Sequence, residues 1–115
     1  MDKQIKEYSK KYKLLLKKIS VLEEKLEEAQ NLQEKESLKV DFLKKNDEFK
    51  LFIIEYAKLI FDIYSKKKSQ LKDTYTGEIK SWDEYFGNDF NKLSKAKREC
   101  LVGLIEKYGA YRLIK

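Results

Sequence analysis

Apolar side chains in the first quarter of the chain fall at Ile5, Tyr8, Tyr12, Leu15, Ile19, Leu22, Leu26 and Ala29, an unbroken 3-4-3-4-3-4-3 spacing. This period holds one stripe of an α-helix toward a partner helix. It predicts a first helix from about Asp2 to Gln30. The next heptad positions, Gln33 and Glu36, are polar. The stretch 30–37, with Asn31 and Ser37, therefore predicts a tight connection. A second helix is expected from about Leu38 to Lys67. Its stripe is Leu38, Phe42, Phe49, Phe52, Tyr56, Leu59 and Ile63, flanked by Leu43, Ile53, Ile60 and Tyr64. That face is wider than a two-helix seam requires, which leaves room for the C-terminal segment beside the first helix. Two other divisions stay open: a break at Lys45-Asn46-Asp47 with Asp47 as cap, and a single continuous helix.

The seam admits two partners. In an antiparallel hairpin the first helix packs on the second. In a parallel homodimer it packs on its own copy, and Lys18 with Glu23 would then meet as a g–e′ pair. Two tyrosines on the seam suit a thicker bundle, so the hairpin is the preferred arrangement. Dimerisation of hairpins remains open.

The character of the chain changes at Ser69. Residues 73–79 read as a turn or small irregular hairpin, with Gly77 supplying unusual dihedrals. Ser81-Trp82-Asp83-Glu84 matches a capping box and opens a short helix, Trp82–Phe86, that stops near Gly87. Ser94 caps a last helix to about Tyr108, with Cys100, Leu101, Leu104, Ile105 and Tyr108 on its apolar face and Gly109 as its stop. Residues 110–115 read as a short tail docked through Tyr111, Leu113 and Ile114. The expected fold class is all-α: a long two-helix coiled-coil-like hairpin over 1–68, then a small helical C-terminal subdomain over 69–115 packed on the second helix.

Composition narrows the chemistry. The 115 residues suit one small domain with a helical extension. Proline is absent, and glycine occurs only at 77, 87, 103 and 109, so nothing interrupts a helix before Gly77. There is no histidine and a single cysteine, Cys100. That removes histidine-based catalysis, an intrachain disulfide and Cys-rich zinc sites. The sequence offers no catalytic, cofactor or metal residues, and the expectation is a non-enzyme. Glu23, Glu24, Glu27 and Glu28 read as a solvated face. No signal-peptide core and no run of about 18 apolar residues is present, so a soluble, cytoplasmic protein with no membrane partner is expected. Lysine outnumbers arginine 24 to 2, a bias that fits an AT-rich coding genome.

The net charge of +6 is spread evenly, each third of the chain contributing +2. A dedicated nucleic-acid binder usually concentrates its charge. The local clusters are Lys10, Lys11, Lys13, Lys17 and Lys18; Lys66, Lys67 and Lys68; and Lys92, Lys95, Lys97 and Arg98.

Two surfaces are candidates for function. Trp82, Tyr85, Phe86 and Phe90 form either a recognition surface or the anchor of the short helix on the second long helix. The basic residues are the nucleic-acid candidates. The Trp-x-x-Tyr helix, the Leu-Ser start and the Glu-Lys-Tyr-Gly end over about 28 residues resemble helix-turn-helix segments of phage and plasmid DNA-binding proteins. That resemblance implies that Lys95, Lys97 and Arg98 meet DNA at the start of the last helix. The apolar run Cys100–Tyr108 speaks against it. The leading expectation is a small regulatory or inhibitor protein, of a phage or other mobile element, acting by binding another protein. The alternative is a dimeric DNA-binding regulator.

Overall fold

The computed structural model describes residues 2–114. The chain is mostly helical, with two long helices and a small three-stranded sheet. It divides into two compact units, Met1–Phe52 and Ile53–Lys115. The boundary lies inside the second long helix, ahead of the compositional change at Ser69.

In unit 1, α1 spans Lys3–Glu28 and α2 begins at Leu32 and runs on to Lys66. Asp2 caps α1 by accepting hydrogen bonds from the backbone N–H of Gln4 (2.8 Å) and Ile5 (3.4 Å). Asn31 caps α2 through its side-chain oxygen, which accepts from the Glu34 N–H at 2.7 Å. The connection is therefore only residues 29–31, shorter than the expected 30–37. Residues 32–37 are mostly polar but good helix formers, and with Asn31 as cap their polarity places them on a solvated face. No break occurs at Lys45-Asn46-Asp47, and the two helices are not one.

The helices form the antiparallel hairpin that the seam predicts. Tyr8 stacks on Phe52 with ring centroids 5.5 Å apart, and Tyr12 meets Phe49 at 5.6 Å. Ile5, Leu15, Ala29 and Phe52 are buried, while Tyr8, Tyr12, Ile19, Leu22 and Leu26 are half-buried.

In unit 2, the end of α2 is followed by β1 (Gln70–Asp73), β2 (Ile79–Ser81), α3 (Trp82–Phe86), a 3₁₀ turn (Phe90–Lys92), α4 (Lys95–Glu106) and β3 (Tyr111–Ile114). The sheet order is β2-β1-β3, both pairings antiparallel, with Leu71 opposite Lys80 and Leu113. All-α is thus corrected to mostly α: the tail at 111–114 is a strand, because the free edge of β1 satisfies its backbone groups. The β1–β2 turn is held by Asp73, whose carboxylate accepts from the N–H of Tyr75 (2.8 Å) and Thr76 (3.0 Å). Gly77 there has φ +76°. Those backbone bonds, from Thr76 and then Tyr75, hold the Asp73 carboxyl below its ordinary value.

The core of unit 2 includes Tyr56, Ile60, Phe61, Leu71, Trp82, Phe86, Leu101 and Val102. Ser81 and Ser94 cap α3 and α4 as expected, accepting from the N–H of Glu84 and Lys97. α4 ends before Gly109: Lys107 takes the left-handed conformation (φ 62°, ψ 44°) and the Tyr108 N–H donates to the Gly103 carbonyl at 3.0 Å. Gly103 permits this turn, since a Cβ there would run into the Tyr108 carbonyl oxygen.

Candidate functional site

The aromatic candidates of the C-terminal segment are mostly core. Trp82 is 1% exposed, and Phe86 and Phe90 are also buried. Trp82 packs against Phe61 (6.0 Å), Tyr64 (6.3 Å) and Phe86 (4.8 Å), and Phe90 meets Phe61 at 5.7 Å. Of the two readings, display and anchoring, the contacts of these three rings are those of anchors that hold α3 and the 3₁₀ turn on α2. Burial of such large rings stabilises unit 2 far more than surface display would.

Tyr85 differs, being half-buried. It contacts Phe86 (4.6 Å) and Tyr111 (4.0 Å), and its hydroxyl donates to Cys100 Sγ at 3.6 Å. Burial first, then that hydrogen bond, pushes the Tyr85 hydroxyl well above its ordinary value, so it stays protonated. Cys100, on the apolar face of α4, is half-buried and not fully buried.

The basic candidates separate into two kinds. Lys97 and Arg98 are engaged within the fold. The Lys97 ammonium donates to the Tyr85 carbonyl at 2.9 Å and lies 5.2 Å from the Tyr85 ring centre, and the Arg98 guanidinium lies 5.2 Å from the Phe90 ring centre. Lys92, Lys95, Lys66, Lys67 and Lys68 are solvent-exposed, with Lys67 over the Tyr64 ring at 5.1 Å. A shallow depression at the start of α4 brings Lys92 and Lys97 together with Asp83, Glu84 and Asp89. Mixed charge of this kind gives no uniform attraction for phosphate. α4 itself buries Leu101, Val102, Gly103 and Leu104 in succession, so its free surface lies in its first half, where Lys95, Ala96 and Glu99 are exposed.

The surface that sequence reasoning passed over is in unit 1. Off the seam of α1, Leu14 and Val21 are 53% and 40% exposed. Together with the half-buried Leu22 they floor a shallow groove rimmed by Lys17, Lys18 and Lys45. Leu14 and Val21 are one heptad apart, and that interval was the available signal. Exposed Val40, Leu43 and Leu51 on α2 extend the apolar content of the hairpin surface. Lys45 is held by Glu48 at 2.9 Å. This hydrogen bond and the Lys45 charge, with smaller contributions from Lys11 and Lys18, hold the Glu48 carboxyl below its ordinary value. Lys17 and Lys18 are exposed.

Among the described residues no group of three or more Cys, Asp or Glu side chains is placed to hold a metal ion, and no helix is long and apolar enough to cross a membrane. No family model, no curated protein and no solved structure matches this chain.

Proposed function

We propose that this protein is a non-enzymatic binding protein that acts through protein–protein contacts, regulating or inhibiting its partner by occupying it. The helical hairpin, rather than the Trp82–Phe90 segment, carries the contact. The observation behind this reading is the set of large apolar side chains that unit 1 holds in solvent: Leu14, Leu16, Val21, Leu32, Val40, Leu43 and Leu51, between 40% and 73% exposed. Contiguous exposed apolar side chains mark interaction surfaces, and Leu14, Val21 and Leu22 line one groove.

The test is affinity capture from the cells that produce the protein, using wild type and a variant with Leu14, Val21, Leu43 and Leu51 all changed to Ser. A partner retained by wild type and lost by the variant is the expected result. Equal capture by both would overturn the assignment to the hairpin.

The DNA-binding reading retains one supporting feature, the exposed Lys92 and Lys95 at the start of α4. It requires binding to a labelled duplex that falls steeply with salt and is lost in Lys92→Glu/Lys95→Glu. Absence of duplex binding at low salt removes it.

A further inference from the structure

We propose that the unit 1 groove takes an acidic amphipathic helix of a partner protein. This rests on the protein-binding reading above and names the chemistry of the partner. The floor is Leu14, Val21 and Leu22, and the rim is Lys17, Lys18 and Lys45. Leu14 and Val21 lie two helical turns apart, about 10 Å along the axis at ~1.5 Å per residue. A helix laid into the groove therefore meets the floor with apolar side chains at i, i+4 and i+7. Its flanking rows then face ammonium groups.

The charged residues that line the groove are all lysines, and residues 8–22 of α1 carry five lysines and no carboxylate. Lys45 is paired with Glu48 and Lys18 shares its charge with the same carboxylate, so Lys17, with a contribution from Lys18, supplies the attraction. Carboxylates beside the apolar row of the incoming helix complement them, giving orientation and a faster encounter. Duplex DNA would answer the lysines but offers no apolar row to cover Leu14 and Val21.

The probe is a fluorescein-labelled synthetic helix with Leu at i, i+4, i+7 and i+11 and Glu along both flanks, titrated with the full chain and followed by anisotropy. Saturable binding is expected. Leu14→Ser/Val21→Ser should weaken it at least about tenfold, a change of roughly 1.4 kcal/mol. Lys17→Glu/Lys18→Glu should weaken it similarly, and rising salt should weaken wild-type binding. All four substituted positions are exposed, and circular dichroism confirms that each variant is folded. A scrambled peptide of the same composition that binds equally well overturns the proposal, as does indifference to both variants. Preference for a DNA duplex or for anionic phosphatidylserine vesicles over the peptide overturns it in favour of those ligands. A wild-type dimer in sedimentation that Leu14→Ser dissociates overturns it in favour of a second copy. Cellular capture that survives the groove variants overturns this inference while leaving the protein-binding reading intact.

Discussion

Tyr56 and Glu106 tie α2 to α4 across fifty residues of sequence, and their contact gives a quantitative test of unit 2. The Tyr56 side chain is fully buried, and its hydroxyl donates to Glu106 Oε2 at 2.6 Å. That length is typical of a charge-assisted O–H···O bond. Hydrogen bonds to charged groups contribute about 1.5–3 kcal/mol net. Tyr56→Phe removes the donor and Glu106→Ala removes the acceptor of this bond. Each variant should lose about 2 kcal/mol. The double variant removes both partners and should lose far less than the sum, with a coupling of about 1–2 kcal/mol. Urea unfolding measures it: with a slope of about 1–3 kcal/mol per molar for small domains, a 2 kcal/mol loss moves the midpoint by roughly 1 M. Additive single effects in the double variant would refute the reasoning, because a shared hydrogen bond cannot be lost twice.

Adjacent leucines should behave oppositely. Leu15, 3% exposed, should lose about 2–5 kcal/mol on change to Ala, whereas Leu14→Ser at 53% exposure should stay within about 0.5 kcal/mol of wild type in the same urea assay. Gly103→Ala should destabilise unit 2, despite the better helix propensity of Ala, because its Cβ meets the Tyr108 carbonyl; a raised melting temperature would contradict the close approach. Asp73 predicts an acid dependence of the β1–β2 turn. Its carboxyl is lowered in the folded state, so its stabilisation is present above the ordinary value of 3.8 and is lost as pH falls through the lowered one. The amide resonances of Tyr75 and Thr76 should titrate with a midpoint below 3.8, and Asp73→Asn should abolish that titration. Ser94→Ala should cost about 1 kcal/mol through loss of the α4 cap, read by the same urea midpoint.

The hairpin was legible because its information is local: eight seam residues and no proline. Its orientation was not written in charge: the Lys18–Glu23 pairing favours a parallel dimer, and the antiparallel direction is set by the Tyr8–Phe52 and Tyr12–Phe49 contacts. The connection is shorter than its polarity implies, because the polar residues 32–37 are good helix formers. β3 was not legible. Four residues, Tyr111–Ile114, become a strand only because β1 offers an edge some forty residues earlier, and no local pattern encodes that edge. The candidate surfaces show a related limit. Aromatic density at Trp82–Phe90 is compatible with display or with anchoring, and only the position of Phe61 and Tyr64 decides between them. Leu14 and Val21 lie one heptad apart outside the seam, where the dominant stripe next to them masks the interval.

Trp82 is the chain's single tryptophan, and it is sealed in unit 2 among Phe61, Tyr64 and Phe86. The molecule thus carries a built-in optical label for one of its halves. Selective excitation of the indole follows the C-terminal unit alone, while far-ultraviolet dichroism is dominated by the long helices. The two signals from one unmodified sample report whether the halves lose structure in a single event or in succession. The emission of this one ring also separates damage to the sheet-bearing unit from damage to the hairpin in every substitution described above.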